Sequence, residues 1–183
     1  MTIPNLITIL RFLLVPGVVY ALLSAEWGWA FVGFVVAGVS DAVDGFVARH
    51  FQQVSTLGTY LDPVADKVLL VSVFIVLGYL NQLPLWLVIA VVSRDALIVC
   101  AVLLSFVIGN PVEMKPLMVS KVNTTVQIML AAFILGEQTF SADTGIIRTS
   151  LVAASGLLTI ASAAAYLVAW LRHMTTNGEN APS

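Results

Sequence analysis

The chain has 183 residues, 60% of them hydrophobic and only 10% charged, with a formal net charge of −2 and a mean hydropathy of +1.01. That balance excludes an ordinary soluble domain and points to an integral membrane protein. The eight basic residues are scattered, which argues against nucleic acid as a partner, and the single Cys100 excludes an internal disulfide.

Runs of about 20 apolar residues predict six transmembrane helices in an all-α polytopic fold, near Leu6 to Leu23, Trp27 to Val47, Leu57 to Leu80, Leu83 to Ile108, Leu117 to Leu135 and Ile146 to Leu171. In the first, Phe12 to Leu23 has the length of a leader's apolar region, and Ser24-Ala25 is a small-residue pair. No basic segment precedes it, and Asn5, Thr8 and Arg11 fall on one side of a helix, as a bundle-facing stripe would; we read a span.

Glu26 with Trp27 and Trp29 marks an interfacial corner before the second span, in which Gly33 and Gly38 are expected to be helix-packing positions. Asn81 to Pro84 predicts a tight turn, and Gly109 to Pro116 and Gly136 to Gly145 predict polar loops. Met114, Met118 and Met129 read as lipid or core filling. Residues 1–173 form one transmembrane domain, and 174–183 a polar tail expected to be disordered.

Basic residues orient the bundle. With a cytoplasmic amino terminus, Arg11, Arg49, Lys67, Lys115, Lys121 and Arg172 lie at or near cytoplasmic ends, Arg94 lies within the fourth span, and Arg148 alone is external. Both termini are then cytoplasmic; the expected location is a bacterial plasma membrane.

The segment DAVDGFVARHFQQVSTLGTYLDPVAD, Asp41 to Asp66, carries four aspartates. Four carboxylates at mid-membrane depth would cost about 10 to 14 kcal/mol on the insertion scale, so they call for compensation. Asp41, Asp44, Gly45 and Ala48 are spaced i, i+3, i+4, i+7, and Gly58, Asp62 and Asp66 are spaced i, i+4, i+8, so each set shares one helix face. The eight residues between Arg49 and Gly58 form the cytoplasmic connection.

Converging carboxylates repel unless cations separate them. Oxygen-only donors without histidine or cysteine suit hard ions, Mg²⁺ or Mn²⁺, and two ions would clamp a diphosphate. Gly45, Ala48 and Gly58 leave room for a nucleotide or phosphate to approach the backbone, and Arg49 offers a fork for phosphate oxygens.

The pattern D-x2-D-G-x2-A-R-x8-G-x3-D-x3-D, matched at every position by Asp41, Asp44, Gly45, Ala48, Arg49, Gly58, Asp62 and Asp66, resembles the signature of the CDP-alcohol phosphatidyltransferase family. The resemblance implies a six-helix membrane enzyme, usually homodimeric, with a cytoplasmic site. It implies transfer of a phosphatidyl or related group from a CDP-linked donor to an alcohol, with release of CMP. Asp41, Asp44, Asp62 and Asp66 would form the two-metal centre, and Asp66 would also be the general base.

PNLITILR at Pro4 to Arg11, LDPVADK through Lys67, SRDALIV at Ser93 to Val99 and SKVNTTVQ at Ser120 to Gln127 resemble, within that family, the cardiolipin synthases that use CDP-diacylglycerol. The implied acceptor is phosphatidylglycerol. Phosphatidylglycerophosphate synthases, which use glycerol 3-phosphate, share the first two segments and are the alternative. Arg94 reads either as a pair with Asp95 or as an acceptor-phosphate contact. Lys121 and Asn123 read either as interfacial polar residues or as further acceptor contacts. A divalent-cation channel or transporter is the competing class, but a conduction path needs neither the arginine nor two side-chain-stripped helix faces.

Overall fold

The computed structural model describes residues 3–51, 56–107, 118–141 and 144–178, with side chains described for 13–40, 67–100, 118–141 and 144–170. They form six helices, α1 (Ile3–Leu23), α2 (Trp27–Phe51), α3 (Thr56–Tyr79), α4 (Leu85–Val107), α5 (Met118–Phe140) and α6 (Gly145–Gly178). Among the described residues, two stretches are long and apolar enough to cross a membrane, Met118–Phe140 and Gly145–Trp170.

Backbone chemistry explains the two tightest turns. After α1, Glu26 N–H donates to Ala21 C=O (2.8 Å) and Ala25 N–H to Leu22 C=O (3.1 Å), a Schellman cap whose left-handed residue is Ala25 at φ 57°. After α3 the same arrangement recurs, with Gln82 N–H on Leu77 C=O (2.8 Å) and Asn81 at φ 57°. Asparagine tolerates that conformation. Pro84 then opens the way into α4, its carbonyl accepting from Leu87 N–H at 3.0 Å.

α1 packs on α2 and α3, both of which also reach α5; α5 packs on α6, α6 on α4, and α4 on α3. Leu22, Ala30, Ala37, Val73, Phe74, Leu77, Leu87, Val91, Leu130 and Ile134 are fully buried between them. Small residues set the closest approaches: a Cβ on Gly33 would meet Val18 Cγ2 at 2.8 Å, one on Gly78 would meet Val88 Cγ2 at 2.8 Å, and one on Gly156 would meet the Trp86 ring at 2.6 Å. Among the described residues nothing lies within 4 Å of a Cβ placed on Gly38, which was expected to be a packing contact.

α5 runs on through Gly136 to Phe140, where a polar loop was expected. Tertiary contacts hold these residues helical. Gly136 abuts the Phe31 ring, Phe140 meets Phe31 edge to face at 6.2 Å, Gln138 donates to Gln82 (2.6 Å), and Glu137 pairs with Arg148 (3.3 Å). α2 and α3 extend into the predicted connection, to Phe51 and from Thr56, which lengthens both aspartate-bearing helices. α6 continues to Gly178, so residues 174–178 of the expected tail are helical.

Tyr20, Trp29, Ile89, Leu97, Leu157 and Ile160 are exposed, whereas Arg94, Asn123, Gln127, Thr159 and Ser162 are buried. Apolar groups outside and polar groups inside are the arrangement of a protein solvated by hydrocarbon, where a polar group finds partners only within the bundle. The chain is a helical membrane protein.

Candidate active site

Asp41, Asp44, Gly45, Ala48 and Arg49 fall in the last three turns of α2, and Gly58, Asp62 and Asp66 in the first three turns of α3. The side chains of all eight lie outside the described residues. Both helices pack against α1 and against α5. At the opposite end, a Cβ on Gly28 at the start of α2 would lie 3.9 Å from Thr139 Cγ2 near the end of α5, and Arg148 on α6 bonds Gln82 between α3 and α4 (3.0 Å). The short turns therefore gather at one end, and the aspartate-bearing halves of α2 and α3 run toward the other.

A polar layer adjoins that second end. Lys67, one residue beyond Asp66, places Nζ 2.6 Å from Asp95 Oδ1 on α4. Arg94 Nη1 donates to the same oxygen at 2.5 Å. The guanidinium also donates from Nη2 to Ser120 on α5 (2.5 Å) and to Ser162 on α6 (2.7 Å), and its Cζ lies 5.7 Å from the centre of the Tyr166 ring. One arginine thus ties three helices together.

A second polar group continues inward between α5 and α6. Gln127 Nε2 donates to Thr159 Oγ1 (3.2 Å), which donates in turn to Asn123 Oδ1 (3.0 Å). Of the three residues proposed from sequence to touch an acceptor, Arg94 and Asn123 are inside the bundle, whereas Lys121 is exposed on α5. Arg94 and Asn123 are both engaged by protein partners. Sequence reasoning passed over Thr159 and Ser162, although with Ser155 they recur at i, i+4, i+7 in an apolar run, the spacing of an interior polar stripe. Gln127, one turn after Asn123, carries the same signal.

Between α4 and α6 an apolar groove of about 520 Å³ is bordered by Leu97, Ile98, Ile160, Ala163 and Leu167, with Arg94 at its wall. Another hollow, about 510 Å³, lies by Asn81, Gln82 and Arg148 at the turn end, away from the aspartate-bearing halves. Among the described residues no cluster of three His, Cys, Asp or Glu could hold a metal. The oxygen-only donor set of Asp41, Asp44, Asp62 and Asp66 is chemically suited to hard divalent cations.

Similarity to known proteins spans most of the chain. It is 35% identical over 184 residues to the rat cardiolipin synthase (CMP-forming), covering 90% of this chain and 60% of the relative. It is 33% identical over 184 residues to the human cardiolipin synthase (CMP-forming), with the same two coverages. Over 99 residues it is 42% identical to a putative cardiolipin synthase of Mycobacterium tuberculosis, covering 54% of this chain and 47% of that protein. The chain thus spans about 60% of the length of the rat and human relatives. The family model for CDP-alcohol phosphatidyltransferase matches residues 1–170, which include the whole aspartate pattern on α2 and α3, and the chain belongs to that family.

Proposed function

We propose that the protein is a CMP-forming cardiolipin synthase, which transfers the phosphatidyl group of CDP-diacylglycerol to a hydroxyl of phosphatidylglycerol. The observation that carries this reading is the eight-position aspartate pattern, complete and placed on the ends of two helices with common neighbours, within a family match covering residues 1–170. Similarity to the rat and human enzymes over 90% of the chain supports the choice of acceptor.

In this mechanism the Asp66 carboxylate takes the proton of the acceptor hydroxyl as its oxygen attacks the phosphorus that bears diacylglycerol. The new P–O bond forms in line with the bond to CMP, which breaks, and CMP leaves with the bonding electrons. Asp41, Asp44, Asp62 and Asp66 would hold two Mg²⁺ or Mn²⁺ ions, which when bound stabilise charge on the diphosphate. Gly45, Ala48 and Gly58 admit the nucleotide to the helix surfaces, and Arg49 contacts its phosphates. Arg94, Lys121 and Asn123 are the acceptor-side candidates from α4 and α5, and the apolar groove beside Arg94 suits an acyl chain.

Helix lengths of 21 to 34 residues support six membrane crossings at 1.5 Å per residue. Cytoplasmic termini, a cytoplasmic site, residence in a bacterial plasma membrane and pairing of two copies belong to the same reading. The test of class is CMP release from CDP-diacylglycerol by purified protein in lipid vesicles, run beside Mg²⁺ uptake by the same vesicles. CMP release without uptake is expected; uptake without CMP release would contradict the proposal.

A further inference from the structure

Asp95 Oδ1 receives two cations, Lys67 Nζ at 2.6 Å and Arg94 Nη1 at 2.5 Å. One carboxylate balances one of them, so among the described residues the cluster carries one excess positive charge. Where that charge sits follows from burial and hydrogen bonding. Arg94 is 2% exposed, and its remaining contacts among the described residues are the neutral hydroxyls of Ser120 and Ser162 and the Tyr166 ring. The Lys67 side chain is 41% exposed, and an ammonium has three donors, only one of which is used by Asp95. Among the described residues, the charge with donors to spare is therefore the Lys67 ammonium.

Its position is the second part of the argument. Lys67 follows Asp66 directly on α3, about 1.5 Å further along the helix axis, so a group held by Lys67 lies within reach of the turn that carries the proposed base. Asp95 fixes the direction of that reach. Its other oxygen, Oδ2, is buried and without a hydrogen-bond partner, which leaves the two cations as the described partners of this carboxylate. Lysine suits a phosphate contact of this kind as a compact charge on a flexible stem.

We propose that Lys67, aimed by Asp95, binds the phosphate of the phosphoglycerol acceptor and so holds the attacking hydroxyl near Asp66. Lys67 is a specificity-determining contact and Asp95 a positioning residue. The inference rests on the proposed reaction and names a residue for its acceptor side. Phosphatidylglycerol and glycerol 3-phosphate share the recognised group, a phosphate ester of glycerol, and are told apart by testing each.

The test is steady-state kinetics of wild type, Lys67→Met, Lys67→Arg and Asp95→Asn in mixed micelles, with phosphatidylglycerol and glycerol 3-phosphate varied separately at saturating CDP-diacylglycerol. Lys67→Met is expected to raise the KM for the acceptor about tenfold or more, as loss of a charge-assisted contact does. The KM for CDP-diacylglycerol should stay close to wild type, and Lys67→Arg should recover most of the loss. Asp95→Asn should raise the same KM; because it also removes the partner of buried Arg94, the Lys67 variants decide the matter if it fails to fold. A KM rise seen only with glycerol 3-phosphate supports the contact and identifies that acceptor as its source. Unchanged acceptor KM in Lys67→Met, an equal rise in the KM for CDP-diacylglycerol, or no rescue by arginine overturns the inference while the reaction stands. A wild type that consumes neither acceptor overturns the reaction and the inference together.

Discussion

Arg94 and Asp95, adjacent in sequence, are bonded to each other inside the bundle, with Nη1 2.5 Å from Oδ1. The same guanidinium reaches Ser120 on α5 and Ser162 on α6, so the arginine acts as a three-helix clamp. Removing Arg94 takes away all of these bonds at once and leaves Lys67 as the described counter-charge of Asp95. Arg94→Ala should accordingly lower the Tm in detergent far more than Ser162→Ala, which removes a single neutral partner at a cost of about 1 to 3 kcal/mol. Equal Tm values for the two variants would show that the clamp contributes nothing beyond an ordinary hydrogen bond.

Asp66→Asn removes the proposed base and keeps its size. Turnover should fall by a factor of roughly 10² to 10⁴, while CDP-diacylglycerol binding persists through Asp41, Asp44 and Asp62. Single-turnover rates and donor binding, measured side by side, separate the two effects. If binding is lost in proportion to rate, Asp66 serves chiefly as a metal ligand.

Chelation should abolish turnover, and Mg²⁺ or Mn²⁺ should restore it. Ca²⁺ should serve poorly, because its longer and looser coordination misplaces the reacting phosphorus. Full activity in excess chelator contradicts the metal assignment.

Gly45→Leu and Gly58→Leu should raise the KM for CDP-diacylglycerol, by filling the space the nucleotide needs, with little change in Tm. Gly156→Val makes the opposite comparison. Its side chain would run into the Trp86 ring, so it should cost about 1 to 3 kcal/mol of stability. Normal donor KM in both leucine variants would remove the steric argument for those glycines.

Sequence alone was enough to read the aspartate pattern and the succession of apolar runs, because both are local: helical spacing puts residues i, i+3, i+4 and i+7 on one face whatever surrounds them. The end of α5 was hidden for the opposite reason. Gly136 signals a break, whereas the contacts with Phe31, Gln82 and Arg148 that accompany the helical run from Gly136 to Phe140 come from other elements. Lys67 was legible as a cation near the end of a span but not as half of a pair, since Asp95 stands 28 residues away on another helix. Arg94 showed its local partner Asp95 in the sequence, while Ser120 and Ser162 required the fold.

The central claim is that phosphatidylglycerol is the acceptor of a phosphatidyl group from CDP-diacylglycerol. The most direct measurement supplies labelled CDP-diacylglycerol to the purified protein with phosphatidylglycerol or with glycerol 3-phosphate, in separate reactions with Mg²⁺ or Mn²⁺, and resolves the labelled lipids. Cardiolipin formed with phosphatidylglycerol, in step with CMP release, is the predicted result. Phosphatidylglycerophosphate as the dominant product, with little or no cardiolipin, would contradict it.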